Sequence, residues 1–573
     1  MENKSQIKTC QNCKNSFTIE PDDFGFYEKI NVPPPTFCPE CRMVRRMAWR
    51  NERSLFKRKC GKTGKEIITM FHPDVNVVIY DRDEWWGEDW NPFDYGIAYD
   101  FTKSFFEQFK ELLSKVPLQS LGNTHVINSP YVNHSADSRD CYLTYGSWKN
   151  ERVYYSNGMV DCKDCFDIYK SAKAEKCYGS ILCAGIYKTH FSYNSDESIN
   201  SWFLEHCINM QDSIGSVNLR NKRYCVYNEQ YSKEDYMEKI KEFDFGSWNF
   251  LKKFEKEYRE FSLKFPRKYA NNIKCVNSTG DNLMGCKNTK YAFDVYNDTE
   301  DSKFVAHTVT LKDGYDGYGV GAGSSLMYEG VDSGLKSGNQ LFAVLAHSNF
   351  NTNYVYMCYN SNNLFGCIGL RKKDYCILNK QYDKYEYEIM VEKIKQHMND
   401  MPYIDKNGRI YKYGEFFPIE LSPFGYNETI TQEFFPKTET EIKNIGGLYR
   451  EHYDRHYVPT IKSEDLPDHI RDVDDTILNE IISCPNNGDE LTQCTNAYKI
   501  IKEELEFLRN HSIALPRHCP NCRHHQRVAK RNPMKLWHRA CMKEGCENVF
   551  ETSYAPERPE IIYCEKCYQQ EVV

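Results

Sequence analysis

The sequence has no apolar run near the roughly 18 residues that would mark a membrane-crossing helix. Met1–Thr9 is polar and lacks the apolar core of a secretory leader. These absences exclude a membrane partner and set the expected location as a reducing, cytoplasmic compartment, or inside a particle if the source is viral. Catalytic signatures are also missing. There is no nucleophile elbow, no His-containing ligand set and no metal site with an open position. Gly61-Lys62-Thr63 lacks the upstream glycine spacing of a phosphate loop. Acid is missing where base is dense. Arg42–Lys65 holds ten Lys/Arg and one acid, Glu52, and Arg517–Lys543 holds eight Lys/Arg and none. The whole chain nonetheless carries a net charge of −7, which excludes a protein coated in nucleic acid over its entire surface.

Cysteine is abundant, with 25 in 573 residues. In a reducing compartment, paired spacings favour metal over disulfide. Cys10, Cys13, Cys38 and Cys41 form two CxxC knuckles, the pattern of a four-thiolate zinc site. Cys541, Cys546, Cys564 and Cys567 form a second set with ribbon spacing. A third set is incomplete in its spacing. Cys519 and Cys522 make a clear knuckle with Cys494, but Leu491 stands where a fourth thiol is expected, and Cys484 is the candidate to supply it from outside that spacing. The expected cofactor is Zn2+ at two sites and, with Cys484, a third. Four thiolates close the coordination sphere, so the metal is expected to support folding rather than catalysis.

The two ends repeat each other. Adding 481 to the numbering carries Cys13, Cys38, Cys41 and Arg42 onto Cys494, Cys519, Cys522 and Arg523, with no gap. The same shift carries Arg46, Arg50, Asn51 and Cys60 onto Arg527, Arg531, Asn532 and Cys541. Beyond Cys60 a two-residue insertion places Asp81 and Glu84 opposite Cys564 and Cys567, so Cys60 is left a remnant and receives no zinc. After Cys41 the pattern turns helical. Arg42, Arg46, Arg50 and Arg53 share a face, as do Arg523, Arg527 and Arg531 in the second copy. Two readings stand side by side: a helix laid along phosphates, with Trp49 or Trp537 free to stack, or a basic face paired with the acidic segment Asp81–Trp90.

Residues 8–60, and the run from Tyr554 through Cys564, Cys567 and Tyr568, resemble a large, mostly uncharacterised family of zinc-ribbon (treble-clef) proteins of small-genome bacteria and some large viruses. The resemblance covers both ends well and the middle loosely. It implies zinc and a shared architecture, and it carries no activity.

The middle holds a motif that recurs about every twelve residues, as at Cys141-Tyr142, Val153-Tyr154, Cys165-Phe166 and Cys177-Tyr178. Fixed-period self-similarity marks a solenoid. The expected form is a parallel β-solenoid of short alternating strands, with Cys, Tyr, Phe and Ile pointing inward in ladders. A weaker second set ends as the first does: Tyr224–Tyr231 matches Tyr375–Tyr382, and each match runs into a helical stretch. The twelve cysteines from Cys141 to Cys376 read as small buried hydrophobes. Asp137, Asp140, Asp161 and Asp164 read as turn residues, with glycan-cleaving acids as the alternative.

The resulting fold class is mixed and mainly β, a duplicated parallel β-solenoid flanked by two related zinc-ribbon modules with short helices. The expected parts are an N-terminal module (1–118), solenoid halves (119–232 and 271–383), a helical insert (233–270), a helix and connector (384–483) and a C-terminal module (484–573). The leading functional expectation is a non-enzymatic zinc protein that docks nucleic acid or a ribonucleoprotein through its two basic modules. The alternatives are a structural or assembly protein acting through protein contacts or self-association, and a solenoid-type glycan-processing enzyme.

Overall fold

The solenoid repeat is built on three residues rather than two. The computed structural model describes residues 4–451 and 457–572. In the first half, parallel bridges join each residue to one twelve positions on: Asn133 to Tyr145, Ala136 to Trp148, Arg139 to Glu151 and Tyr142 to Tyr154. The residue after each bridge is left-handed, as at His134, Asp137, Asp140 and Leu143. The third residue of each triplet is buried, as at Ser135, Ser138, Cys141 and Thr144. Twelve residues bent at every third make a coil with four sides. The left-handed bend costs most L-residues about 1 kcal/mol and Asn, Asp and Gly least, which accounts for the Asp, Asn and Gly residues scattered along the repeat. Asp137, Asp140, Asp161 and Asp164 all occupy it.

This triplet corrects the expected in/out alternation and the expected inward aromatic ladders. A four-sided coil has room for Ser, Cys, Thr, Ala and some aliphatic side chains. Rings go outward: Tyr154 and Phe166, bridged across successive coils, stack at 4.5 Å on the outer face. The inward cysteines behave as expected, since Cys141, Cys162, Cys165, Cys177 and Cys183 are buried together. Many inward polar groups are satisfied from coil to coil, Asn150 and Ser216 being exceptions. Ser156 Oγ accepts the Ile168 N–H at 3.1 Å, Ser192 Oγ accepts the Leu204 N–H at 3.1 Å, and the Cys165 thiol donates to Ala174 O at 3.3 Å.

The second half, from Asn272 to Gln381, is a nine-stranded sheet whose coils step by eleven to thirteen residues, as in Asn272 to Leu283, Gly338 to Phe350 and Phe293 to Ala306. Both halves end in the same device. The chain doubles back in a short antiparallel hairpin, Cys225 against Gln230 and Cys376 against Gln381. The Asn228 side chain bonds both the N–H and the C=O of Val217, and Asn379 does the same to Ile368. Each Asn thus stands in for the coil that does not follow, and closes an edge that would otherwise recruit another strand. Tyr236 and Tyr387, from the helices that come next, then pack on Tyr224 and Tyr375.

The terminal modules match element for element. A strand pair (Gln6–Thr9 with Ser16–Ile19, or Ile482–Ser483 with Ala497–Tyr498) leads to a helix, Pro21–Lys29 or Lys502–His511. Next comes the helix that opens at the second knuckle, Pro39–Met47 or Pro520–Val528, with Pro at the first position where no N–H partner is lost. A hairpin closes each module, Phe56–Lys59 with Glu66–Thr69 or Trp537–Ala540 with Val549–Thr552. In the first module a further helix runs Phe105–Lys115, capped by Ser104 and Glu107.

Candidate metal centres and the buried arginine clamps

Each terminal thiol set converges. Cys10, Cys13, Cys38 and Cys41 bring their four sulfurs within 4.8 Å of one another, as do Cys484, Cys494, Cys519 and Cys522, and Cys541, Cys546, Cys564 and Cys567. Close pairs lie at 3.7 Å (Cys13–Cys38 and Cys484–Cys522), 3.9 Å (Cys546–Cys564) and 4.0 Å (Cys494–Cys519). A disulfide needs about 2.05 Å. A tetrahedron with metal–sulfur bonds of about 2.3 Å has an edge of about 3.8 Å. The donor sets therefore fit a tetrahedral metal ion.

The second cluster completes itself through an enlarged knuckle. Cys484 follows the strand Ile482–Ser483 just as Cys10 follows Gln6–Thr9. Asn12 donates its amide to Cys41 Sγ at 3.3 Å, and Asn486, two residues after Cys484, donates to Cys522 Sγ at 3.3 Å. The Cys38 N–H reaches Cys10 Sγ at 3.3 Å and the Cys519 N–H reaches Cys484 Sγ at 3.4 Å. Cys484 is thus the counterpart of Cys10, displaced by extra residues before Cys494, and Leu491 is exposed on that loop. In the third cluster burial pushes the Cys564 thiol up, but the Asn548 amide and neighbouring donors bring it down to about 6, toward the thiolate that a metal needs.

Cys60 keeps the shape of that third cluster without its ligands. The Asp81 N–H donates to Cys60 Sγ at 3.3 Å, as the Cys564 N–H does to Cys541 Sγ. In place of the remaining thiols stand Asp81 and Glu84, and Lys62 binds Glu84 at 2.8 Å.

The arginines lie inside the protein. Arg42, Arg46, Arg50 and Arg53 are at most 8% exposed, and so are Arg523, Arg527 and Arg531. Their expected presentation to phosphate is corrected by this burial, and so is their expected pairing with Asp81–Trp90. Most of their acidic partners are solenoid carboxylates more than a hundred residues away. Arg42 Nη2 reaches Asp316 at 2.9 Å, and Arg46 Nη1 reaches Glu329 at 2.6 Å and Asp316 at 3.2 Å. Arg45 bridges Glu329 at 2.8 Å and Glu415 at 2.9 Å. Three arginines meet three acids, so the cluster is neutral. Arg50 pairs with Glu52 at 2.6 Å and Asp332 at 3.3 Å, while Arg53 lies over the Tyr145 ring and donates to Asn521. Of the two expected stacking residues, Trp49 is fully buried against Phe417, while Trp537 is half-buried on its hairpin. Burial works against the charge on Arg42 and Arg45, yet the facing carboxylates hold both above the usual arginine range.

The second copy repeats the clamp on the other solenoid half. Arg523 Nε and Arg527 Nη1 share Asp167 at 3.1 and 2.8 Å, and Arg523 also reaches Glu504 at 2.7 Å. Arg531 binds Asp294 and the Tyr169 hydroxyl. The docking sites correspond. Phe26 stacks on Tyr315, next to Asp316, with centroids 3.9 Å apart, and its counterpart Phe507 packs on Phe166, next to Asp167, at 4.8 Å. The N-terminal module therefore clamps the second solenoid half and the C-terminal module clamps the first. Both crossings are tied at the middle: Asn157 of the first half donates to Glu52, and Arg531 reaches Asp294 of the second.

Sequence reasoning missed Asp167, Asp294, Asp316, Glu329, Asp332 and Glu415. The only signal for them was an aromatic followed by Asp, Phe166-Asp167, Phe293-Asp294 and Tyr315-Asp316, lost among the other polar–aromatic pairs of the repeat. Asp137 meets His125 and the Trp148 indole N–H, and Asp164 meets Arg152, all on the solenoid surface. No family model matches the chain, and no curated protein is significantly similar to it. Among the described residues no helix is long and apolar enough to cross a membrane.

Proposed function

We propose that the protein is a zinc-braced structural scaffold that acts through protein–protein contacts. Zinc in each four-thiol cluster would hold the knuckles from which the two arginine helices start. Those helices would then lock the two solenoid halves into one rigid body. The observation that carries this reading is the reciprocal docking of the modules, whose arginine helices are consumed in buried ion-pair clusters with the solenoid and are not offered to a polyanion. A closed four-thiolate shell leaves a metal no site for substrate, so its proposed role is to stabilise the fold.

The test is elemental analysis, light scattering and the 260/280 nm absorbance ratio on one preparation. About three zinc per chain, a defined assembly and no retained nucleic acid are expected. A monomer that retains nucleic acid through repeated high-salt washing would overturn the scaffold reading.

A further inference from the structure

A cavity of about 290 Å³ lies between the C-terminal arginine helix, the first solenoid half and the helix Trp248–Ser262. Its occupant can be read from the other copy. Subtracting 481 takes four of its lining residues, Arg517, His518, Gln526 and Lys530, to Thr36, Phe37, Arg45 and Trp49. In the N-terminal copy that surface is covered by the chain's own segment Tyr411–Phe417. Glu415 accepts the Thr36 N–H at 2.8 Å and pairs with Arg45 at 2.9 Å. Tyr411 packs on Phe37 at 5.6 Å and Phe417 on Trp49 at 4.9 Å.

In the C-terminal copy no described segment supplies a carboxylate in the place of Glu415. The Arg517 N–H, counterpart of the Thr36 N–H, has no hydrogen-bond acceptor among the described residues. The Arg517 guanidinium donates to the carbonyls of Ser463, Leu466 and Pro467 and lies over the Trp248 ring at 5.5 Å, with no carboxylate in ion-pair contact among the described residues. Lys530 forms no ion pair among the described residues, and Glu255 across the cavity is already paired with Lys252. Trp248 and Phe191 supply apolar wall. The site therefore combines uncompensated positive charge, a free N–H and exposed ring surface.

We propose that this cavity receives a partner-protein segment that carries a carboxylate beside aromatic side chains, the chemistry that Tyr411–Phe417 supplies to the first copy. The proposal rests on the reading that the protein works through protein contacts, and it names the chemistry of one such contact.

The probe is a capped synthetic peptide with the sequence of residues 411–417, titrated into the full chain with Trp248 fluorescence as readout. Saturable binding is expected, at least tenfold weaker when the peptide's Glu is replaced by Gln and at least tenfold weaker for Lys530→Glu. Lys530 is exposed, so this variant is expected to retain its metal, which elemental analysis checks. Binding indifferent to both changes would overturn the proposal. So would inorganic phosphate binding tightly where the peptide does not, which would mark a small-anion site. A failure of the peptide alongside an intact assembly in light scattering would remove this inference and leave the scaffold reading standing.

Discussion

Arg46 Nη1 sits 2.6 Å from Glu329 Oε2, and both side chains are fully buried although they are 283 positions apart in the chain. Glu329 also takes Arg45, and burial holds its carboxyl above the usual range even though Arg46 and Arg45 pull it back down. The pair is the centre of the clamp between the N-terminal metal module and the second solenoid half.

Removing one member of such a cluster strands the others. Glu329→Ala leaves three buried arginines facing Asp316 and Glu415, and is expected to cost about 3–5 kcal/mol. Urea unfolding monitored by tryptophan fluorescence measures it. Arg46→Glu is expected to be at least as damaging to the fold, so any loss of binding in that variant must be read beside its stability.

The second metal cluster yields a stoichiometry. Cys484→Ser is expected to lower bound zinc from about three to about two per chain, while Leu491→Ala leaves about three. Elemental analysis after gel filtration separates the two outcomes. An unchanged zinc count in Cys484→Ser would remove the enlarged knuckle.

The remnant around Cys60 is expected to accept a metal again. Counting back 483 residues from Cys546, Cys564 and Cys567 gives Thr63, Asp81 and Glu84. The triple variant Thr63→Cys, Asp81→Cys, Glu84→Cys supplies four thiols around the retained N–H to sulfur contact at Cys60. Cobalt titration should show one additional tetrahedral thiolate site relative to the natural chain.

Acid should loosen the C-terminal module through Glu560. Burial raises this carboxyl, but Arg558 and Arg259, each at 2.7 Å, bring it down to about 2 from 4.5. Between those values the unfolded chain holds a proton that the folded one does not. The stabilisation, on the order of 2–3 kcal/mol, is therefore full above about pH 4.5 and is lost as pH falls toward about 2. Glu560→Gln should flatten that stretch of the stability–pH curve, which separates it from thiolate protonation at the metal clusters.

Shutting the solenoid edges is the work of two asparagines. Asn228→Ala or Asn379→Ala frees one N–H and one C=O at a coil end, and is expected to cost about 1–3 kcal/mol and promote self-association. Analytical ultracentrifugation against the natural chain tests this.

Much of this architecture is written locally. Ligand spacing around Cys10 and Cys541, the 481-residue echo between Arg42 and Arg523, and the twelve-residue step all follow from short-range rules, because a zinc knuckle, a helix turn and a coil each constrain residues only a few positions apart. The match between Tyr224–Tyr231 and Tyr375–Tyr382 likewise foretold two equivalent ends. The triplet did not show, because an aromatic at a bridge position next to an inward cysteine looks the same as an alternating strand when only the order of residues is seen.

What the sequence by itself determined is the inventory: two complete thiol sets and three thiols of another, two copies of a basic helix and a repeated coil. Only the tertiary structure decided where the charge goes. A buried guanidinium must be met by a carboxylate, but no local rule says which one, and Asp316, Glu329 and Asp167 reach the arginines only because the solenoid stacks coils that are far apart in the chain. The same holds for Cys484, whose sulfur joins Cys494 through a loop closed in space rather than by spacing, since a metal counts distances between ligands and not residues between them.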